Sequence, residues 1–195
     1  MPYMITRRGK RFDLETFTAE DFTIEDIAFA LAGERRYASN SPIRFSVAQH
    51  SIIVSRLVPA SIALPALLHD ANEMITGDIP KPVKRLIDSD KLTALVQRID
   101  AAVAARFGFD PKLFEDLSLK LADRKAWRWE MANIHPEELE TDPRLKAVDW
   151  SLSDDARLEA MPLAMSETAA ELSFLMRFYE LTSAANRLAV APARE

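Results

Sequence analysis

Along this chain apolar residues recur at intervals of three and four far more often than of two, the signature of helices that bury one face. Residues 46–57 place Val47, His50, Val54 and Leu57 on one such face, so His50 is expected to look inward. Residues 64–76 surround the dipeptide His69-Asp70 with Leu64, Leu67 and Leu68, and residues 117–134 set Asp123 in line with Leu119, Ala126 and Glu130. Further helices are expected over 23–31, 91–107 and 166–187, the last with Leu172, Leu175, Phe178 and Tyr179 on its apolar side. Thr23, followed by an acid three residues later, reads as the cap of the first. Gly33, Gly77 and Gly108 read as helix ends, and Pro59 stops the helix before it. Pro80 and Pro82 hold off a new helix until Val83, which leaves Asp78 on a loop. Alternation appears only at the start, where Tyr3-Met4-Ile5-Thr6 and Arg11-Phe12-Asp13-Leu14 flank a turn at Gly9 and predict a small hairpin. Residues 136–155 are polar and read as a loop-rich connection. The expected fold class is all-α, with a small N-terminal β-hairpin.

Composition narrows the function. With 195 residues, 48% hydrophobic and 28% charged, the chain is long enough for one substantial core. No linker or repeat divides it, so a single domain over 1–195 is expected. No apolar run approaches the roughly 18 residues that span a bilayer, and the start lacks the apolar stretch of a signal peptide. A cytoplasmic chain without membrane contact is the expectation. The formal charge of -5 argues against a nucleic acid polymer as partner. An anionic ligand must then be drawn by local charge, for which Lys81, Lys84 and Arg85 downstream and Arg35, Arg36 and Arg44 upstream of His50 are available. Any single one of these is ordinarily a solvated surface charge. The absence of Cys excludes disulfides, thiolate nucleophiles and Cys-based metal sites, so a bound metal must rely on His and carboxylates.

His50, His69-Asp70 and Asp123 lie on three helices that can converge on one point. Imidazole nitrogens and carboxylate oxygens suit a borderline divalent ion and leave open positions for water and substrate. Taken singly, an inward His is more often a hydrogen-bonded core residue, and an inward Asp a cap or ion-pair partner. Glu73 follows His69 by four residues and Asp70 by three, on the same helical face, where it either supports the ligands or moves protons. Such a centre is suited to hydrolysis of a phosphate ester.

The order His50, His69-Asp70, Asp123 resembles the HD superfamily of metal-dependent phosphohydrolases. The segments Val47-Ala48-Gln49-His50-Ser51, His69-Asp70-Ala71-Asn72-Glu73 and Thr76-Gly77-Asp78-Ile79-Pro80-Lys81-Pro82-Val83-Lys84 are similar to the YfbR-like 5'-deoxynucleotidase branch. The resemblance implies an HD-domain helical bundle, with His50, His69, Asp70 and Asp123 as metal ligands and Glu73 and Asp78 as catalytic residues. It also implies that Arg36-Tyr37 contacts a nucleotide, with Tyr37 standing where the family has Trp and with Arg35-Arg36 leaving the match open by one residue. Because an acidic chain needs local cations to bind an anion, Lys81 or Lys84 near the entrance would join Arg36 in holding the phosphate, and the resemblance implies a homodimer.

His135 ends the Asp123 helix, where a surface or capping role is expected, which leaves two His and favours one divalent ion, whether Mn, Co, Fe, Ni, Zn or Mg. Trp127 shares the Asp123 face and Trp129 points elsewhere; packing is the default for both. The expected activity is hydrolysis of a deoxynucleoside 5'-monophosphate to nucleoside and phosphate, by a metal-dependent phosphohydrolase of 5'-nucleotidase type. The alternatives are release of tripolyphosphate from a deoxynucleoside triphosphate, and a non-catalytic module that binds a nucleotide.

Overall fold

The computed structural model describes residues 2–87 and 89–190, with side chains through Ser183. The expected hairpin is present: β1 (Tyr3–Ile5) pairs antiparallel with β2 (Arg11–Asp13), Met4 opposite Phe12, and Gly9 adopts φ 75° in the turn. Phe12 anchors it, stacked 5.3 Å from Phe17 and edge-on to Phe22 at the same separation. Arg8 reaches from the turn to Asp26 at 2.8 Å, tying the hairpin to the first helix.

The rest is helical. In chain order the first helices are α1 (Ile24–Gly33), α2 (Val47–Leu57), α3 (Ala63–Leu68), α4 (Glu73–Thr76), α5 (Lys81–Ile87) and α6 (Asp90–Phe107). They are followed by α7 (Leu117–Ile134), α8 (Glu138–Thr141), α9 (Pro143–Lys146), α10 (Leu152–Leu158) and α11 (Glu167–Val190). Among the described residues no helix is long and apolar enough to cross a membrane.

The centre of the molecule is α2. A capping box between Ser46 and Gln49 starts it, and every residue but Arg56 is buried. A helix enclosed on all sides belongs to the core, and α2 joins two apolar clusters. On one flank Ile52 belongs to a cluster with Ile27 and Leu31 of α1, Leu67 of α3 and Phe174 of α11. On the other, Ile53 and Val54 belong to a cluster with Phe45, Ala66, and Ala122 and Ala126 of α7. Each fully enclosed Leu or Ile contributes about 1.5–3 kcal/mol, so the position of α2 is strongly determined.

Four expectations are corrected. Residues 64–76 do not form one helix: α3 and α4 are separated by a tight turn over 69–72, where Ala71 N bonds Leu68 O and Glu73 N bonds Asp70 O. These are three-residue closures, so the helix tightens instead of continuing. Gly33 is the last residue of α1, as expected, and Glu34 after it is extended (φ -75°, ψ 131°), its carbonyl accepting from Val47 N at 3.1 Å. Residues 136–155 hold α8, α9 and the start of α10 instead of open loop, and α5 begins at Lys81 with Pro82 in its first turn, where a missing N–H costs nothing. Finally, α11 buries Ala170, Phe174 and Phe178, while Leu172 and Tyr179 face outward, 55% and 51% exposed.

Candidate metal centre

Three elements deliver the four expected ligands to one place. His50 projects from the middle of α2, Asp123 from the second turn of α7, and His69-Asp70 from the turn that breaks α3 from α4. His50 Nε2 lies 3.1 Å from Asp123 Oδ1 and 3.6 Å from Asp70 Oδ2, and His69 Nε2 lies 3.2 Å from that same Asp70 oxygen. One donor atom each from His50, His69 and Asp123 falls within 4.8 Å of the others, close enough to share an ion.

The imidazoles are oriented for this. His69 Nδ1 bonds Ala66 O at 2.9 Å and His50 Nδ1 meets Glu130 Oε1 at 2.6 Å, so each Nδ1 is held as a donor and each Nε2, the nitrogen that would ligate once free of a proton, faces the cluster. His50 Nε2 is buried and makes no aligned hydrogen bond despite its closeness to Asp123. A buried, unpaired nitrogen among carboxylates fits a cation, and the four residues would supply two nitrogen and two oxygen donors.

Burial and the Arg36 charge oppose protonation of His50, yet Glu130 and Asp123 outweigh them and push its pKa up to about 9; a cation must displace that proton. Burial lowers His69, favouring its neutral, ligating form. Burial also works against ionisation of Asp123, but His50, His69 and Lys81 hold it well below the usual carboxylate range.

Glu130 is the functional residue that the sequence placed on the right face without assigning it a role. It is fully buried, and besides His50 it accepts Arg36 Nε at 2.9 Å and the Tyr37 hydroxyl. Burial alone would raise its pKa, but Arg36 and His50 depress it, so Glu130 remains the anion that this cationic group requires. Its signal was its phase, seven residues after Asp123 on α7.

Glu73 and Asp78 lie beside the cluster. Glu73 is 6% exposed; its Oε2 is buried without a partner and its Oε1 stands 3.8 Å from Lys84 Nζ. Burial, with the negative fields of Asp70 and Asp78, pushes its pKa up to about 9. Asp78 is on the loop after α4, its backbone N–H bonded to Glu34 Oε1 at 3.1 Å. Lys81 Nζ reaches Asp123 Oδ2 at 3.3 Å, so both lysines of α5 stand at the mouth of the centre. Arg36 and Tyr37 have their named bonds to Glu130, and the Arg36 charge also acts on His50 and Glu73.

The remaining candidates lie apart. His135 follows α7 and pairs with Glu137 at 3.2 Å. Trp127 is covered by Arg144, 5.2 Å from its ring centre, so it turns to α9 and not to the ligands as its spacing suggested. Trp129 packs on Phe45 with ring centres 6.4 Å apart.

Comparison with known proteins accords with this arrangement. The YfbR-like family model, described as 5'-deoxynucleotidase YfbR-like, matches residues 45–124, which include all four candidate ligands. The uncharacterized protein YfdR of Escherichia coli K12 is 35% identical over 130 residues, 64% of this chain and 72% of YfdR. The uncharacterized protein RCAP_rcc00048 of Rhodobacter capsulatus is 36% identical over 137 residues, 65% of this chain and 69% of the relative. With its helical fold and its His and Asp residues gathered from α2, the turn after α3 and α7, the chain belongs to the YfbR-like 5'-deoxynucleotidase family of HD-domain phosphohydrolases.

Proposed function

We propose that the protein hydrolyses deoxynucleoside 5'-monophosphates to nucleoside and orthophosphate, using one divalent ion held by His50, His69, Asp70 and Asp123. The observation that carries this reading is the convergence of two imidazole Nε2 atoms and two carboxylates beside a buried, unpaired Glu73 oxygen. A divalent ion in that position supplies Lewis acidity toward a phosphoryl oxygen and toward water. The side chains do the rest. Glu130 fixes the tautomer and aim of His50, and Ala66 O does the same for His69. Arg36, Lys81 and Lys84 hold the phosphate and offset its charge, Lys81 exchanging Asp123 for the incoming oxygen. Glu73, with Asp78, takes the proton of the attacking water or returns one to the leaving 5'-oxygen.

The test is a panel of ribo- and deoxynucleoside mono- and triphosphates, each with Mn, Co, Mg, Ni, Fe and Zn, with products resolved. Orthophosphate released fastest from deoxynucleoside monophosphates supports the proposal. Tripolyphosphate released from triphosphates would replace it with the triphosphohydrolase reading, and absence of turnover with every metal would leave a binding module.

A further inference from the structure

The segment between α1 and α2 forms a cavity that shares only Arg36 with the proposed catalytic steps. Its base is closed by two backbone bonds, Val47 N to Glu34 O at 3.1 Å and Arg36 N to Phe45 O at 3.0 Å, so the loop between them is pinned at both ends. Within it Tyr37, Ala38 and Ser39 all adopt left-handed conformations, with φ of 61°, 50° and 62°. Asn40 Nδ2 steadies the turn by bonding Ala38 O at 3.1 Å, and the Tyr37 hydroxyl is held by Glu130. Three consecutive non-glycine residues in this region are costly and persist because the surroundings impose them.

The enclosed space is about 380 Å³, and Arg35, Arg36 and Arg44 line it with the hydroxyl residues Ser39 and Ser41 over a floor at Phe45. The three guanidinium groups are not equally committed. Arg36 is engaged by Glu130, whereas Arg35 uses one nitrogen on Glu167 at 2.7 Å and keeps Nη1 buried with no partner. Arg44 is exposed and forms no ion pair among the described residues. Two forked donors with hydroxyls nearby match a group with several oxygens on one centre, and the cavity is too large for a single water.

We propose that this cavity is a second anion site, taking a phosphoryl or pyrophosphoryl group between Arg35 and Arg44 and adjoining the metal centre through Arg36. The group comes from free phosphate or pyrophosphate, because a deoxynucleoside monophosphate reacting at the metal centre has no further phosphate to place here. Binding itself requires no turnover, so its outcome is independent of the proposed hydrolysis.

The test is isothermal titration of the full chain in EDTA and low salt with pyrophosphate and with orthophosphate. Saturable binding is expected, weakened at least about tenfold in Arg44→Ala and restored in part by Arg44→Lys. The exposed position of Arg44 leaves the fold intact, which the thermal midpoint of each variant checks. No saturable binding to the wild type, or equal affinity in Arg44→Ala, would overturn the proposal. Pyrophosphate should also alter monophosphate turnover in the wild type and not in Arg44→Ala. A rise of at least about fivefold in the variant's KM for triphosphates relative to monophosphates would overturn the free-ligand source and assign the site to a substrate phosphate.

Discussion

Glu130 Oε1 stands 2.6 Å from Nδ1 of His50, with both side chains fully enclosed between α2 and α7. A carboxylate behind a ligating imidazole raises its basicity and fixes its aim, and such partners govern metal affinity about 10- to 100-fold. Glu130→Gln keeps the shape and loses the charge, so its Mn affinity should fall by about that factor with the helical spectrum retained. Glu130→Ala should cost about 3 kcal/mol in denaturant unfolding, because it leaves the half-buried Arg36 without its anion. Titration with Mn decides the first point: wild-type affinity in Glu130→Gln would reduce Glu130 to an ion-pair partner of Arg36.

Glu73→Gln should keep the metal and lose about 10²–10⁴ in kcat, since the amide fills the same space and cannot carry a proton as the carboxylate does. Metal content by mass spectrometry and kcat are measured on the same sample. Loss of the ion in step with activity would make Glu73 a ligand instead.

Asp100 of α6 accepts Asn72 Nδ2 at 3.1 Å, and burial raises its pKa to about 6 despite that bond, with Asp70 adding to the rise. The folded value lies above the unfolded one of about 4, so only well below pH 4 is the carboxyl neutral in both states with no stability lost. As pH rises from about 4 to 6 the unfolded chain ionises this group while the folded protein holds it neutral, so stability falls across that window and levels off once the folded carboxyl has ionised as well. Asp100→Asn keeps an acceptor for Asn72 and escapes that loss. In EDTA it should match the wild type near pH 3 and exceed it by about 1–2 kcal/mol at pH 8, the full shift being discounted for partial exposure. Equal urea midpoints at pH 8 would remove Asp100 from any account of pH-dependent stability.

Ala38 is exposed, with φ 50° and ψ 38°, a region that disfavours a Cβ. Ala38→Gly removes that penalty and loses no packing, so the thermal midpoint should rise by about 1–3 °C. A lower midpoint would mean that chain entropy outweighs the strain at this position.

What the sequence disclosed depended on how local each feature was. The limits of α2 follow from neighbours, with Ser46 and Gln49 forming the box at one end and Pro59 blocking the other, and the inward aim of His50 follows from its phase. The span of α7 was legible in the same way. The meeting of Glu130 with Arg36 and His50 joins residues 94 and 80 positions apart, and no local signal announces it. The break at His69 was hidden because residues 64–76 contain no internal Gly and keep their apolar period; only the three-residue closures of the folded chain reveal it. Trp127 failed for a finer reason: four residues overshoot a full helical turn by about 40°, enough to turn the ring toward Arg144.

That break also insulates one part of the site from another. In an unbroken helix any shift upstream would be transmitted as a rigid rotation, and His69, Asp70 and Glu73 would swing together. Here α3 is seated by Leu67 and Leu68 in the main core, whereas α4 lies against α1. A substitution in α1 that nudges α4 can therefore re-aim Glu73 while the neighbouring imidazole stays fixed, so the two functions can drift independently under mutation.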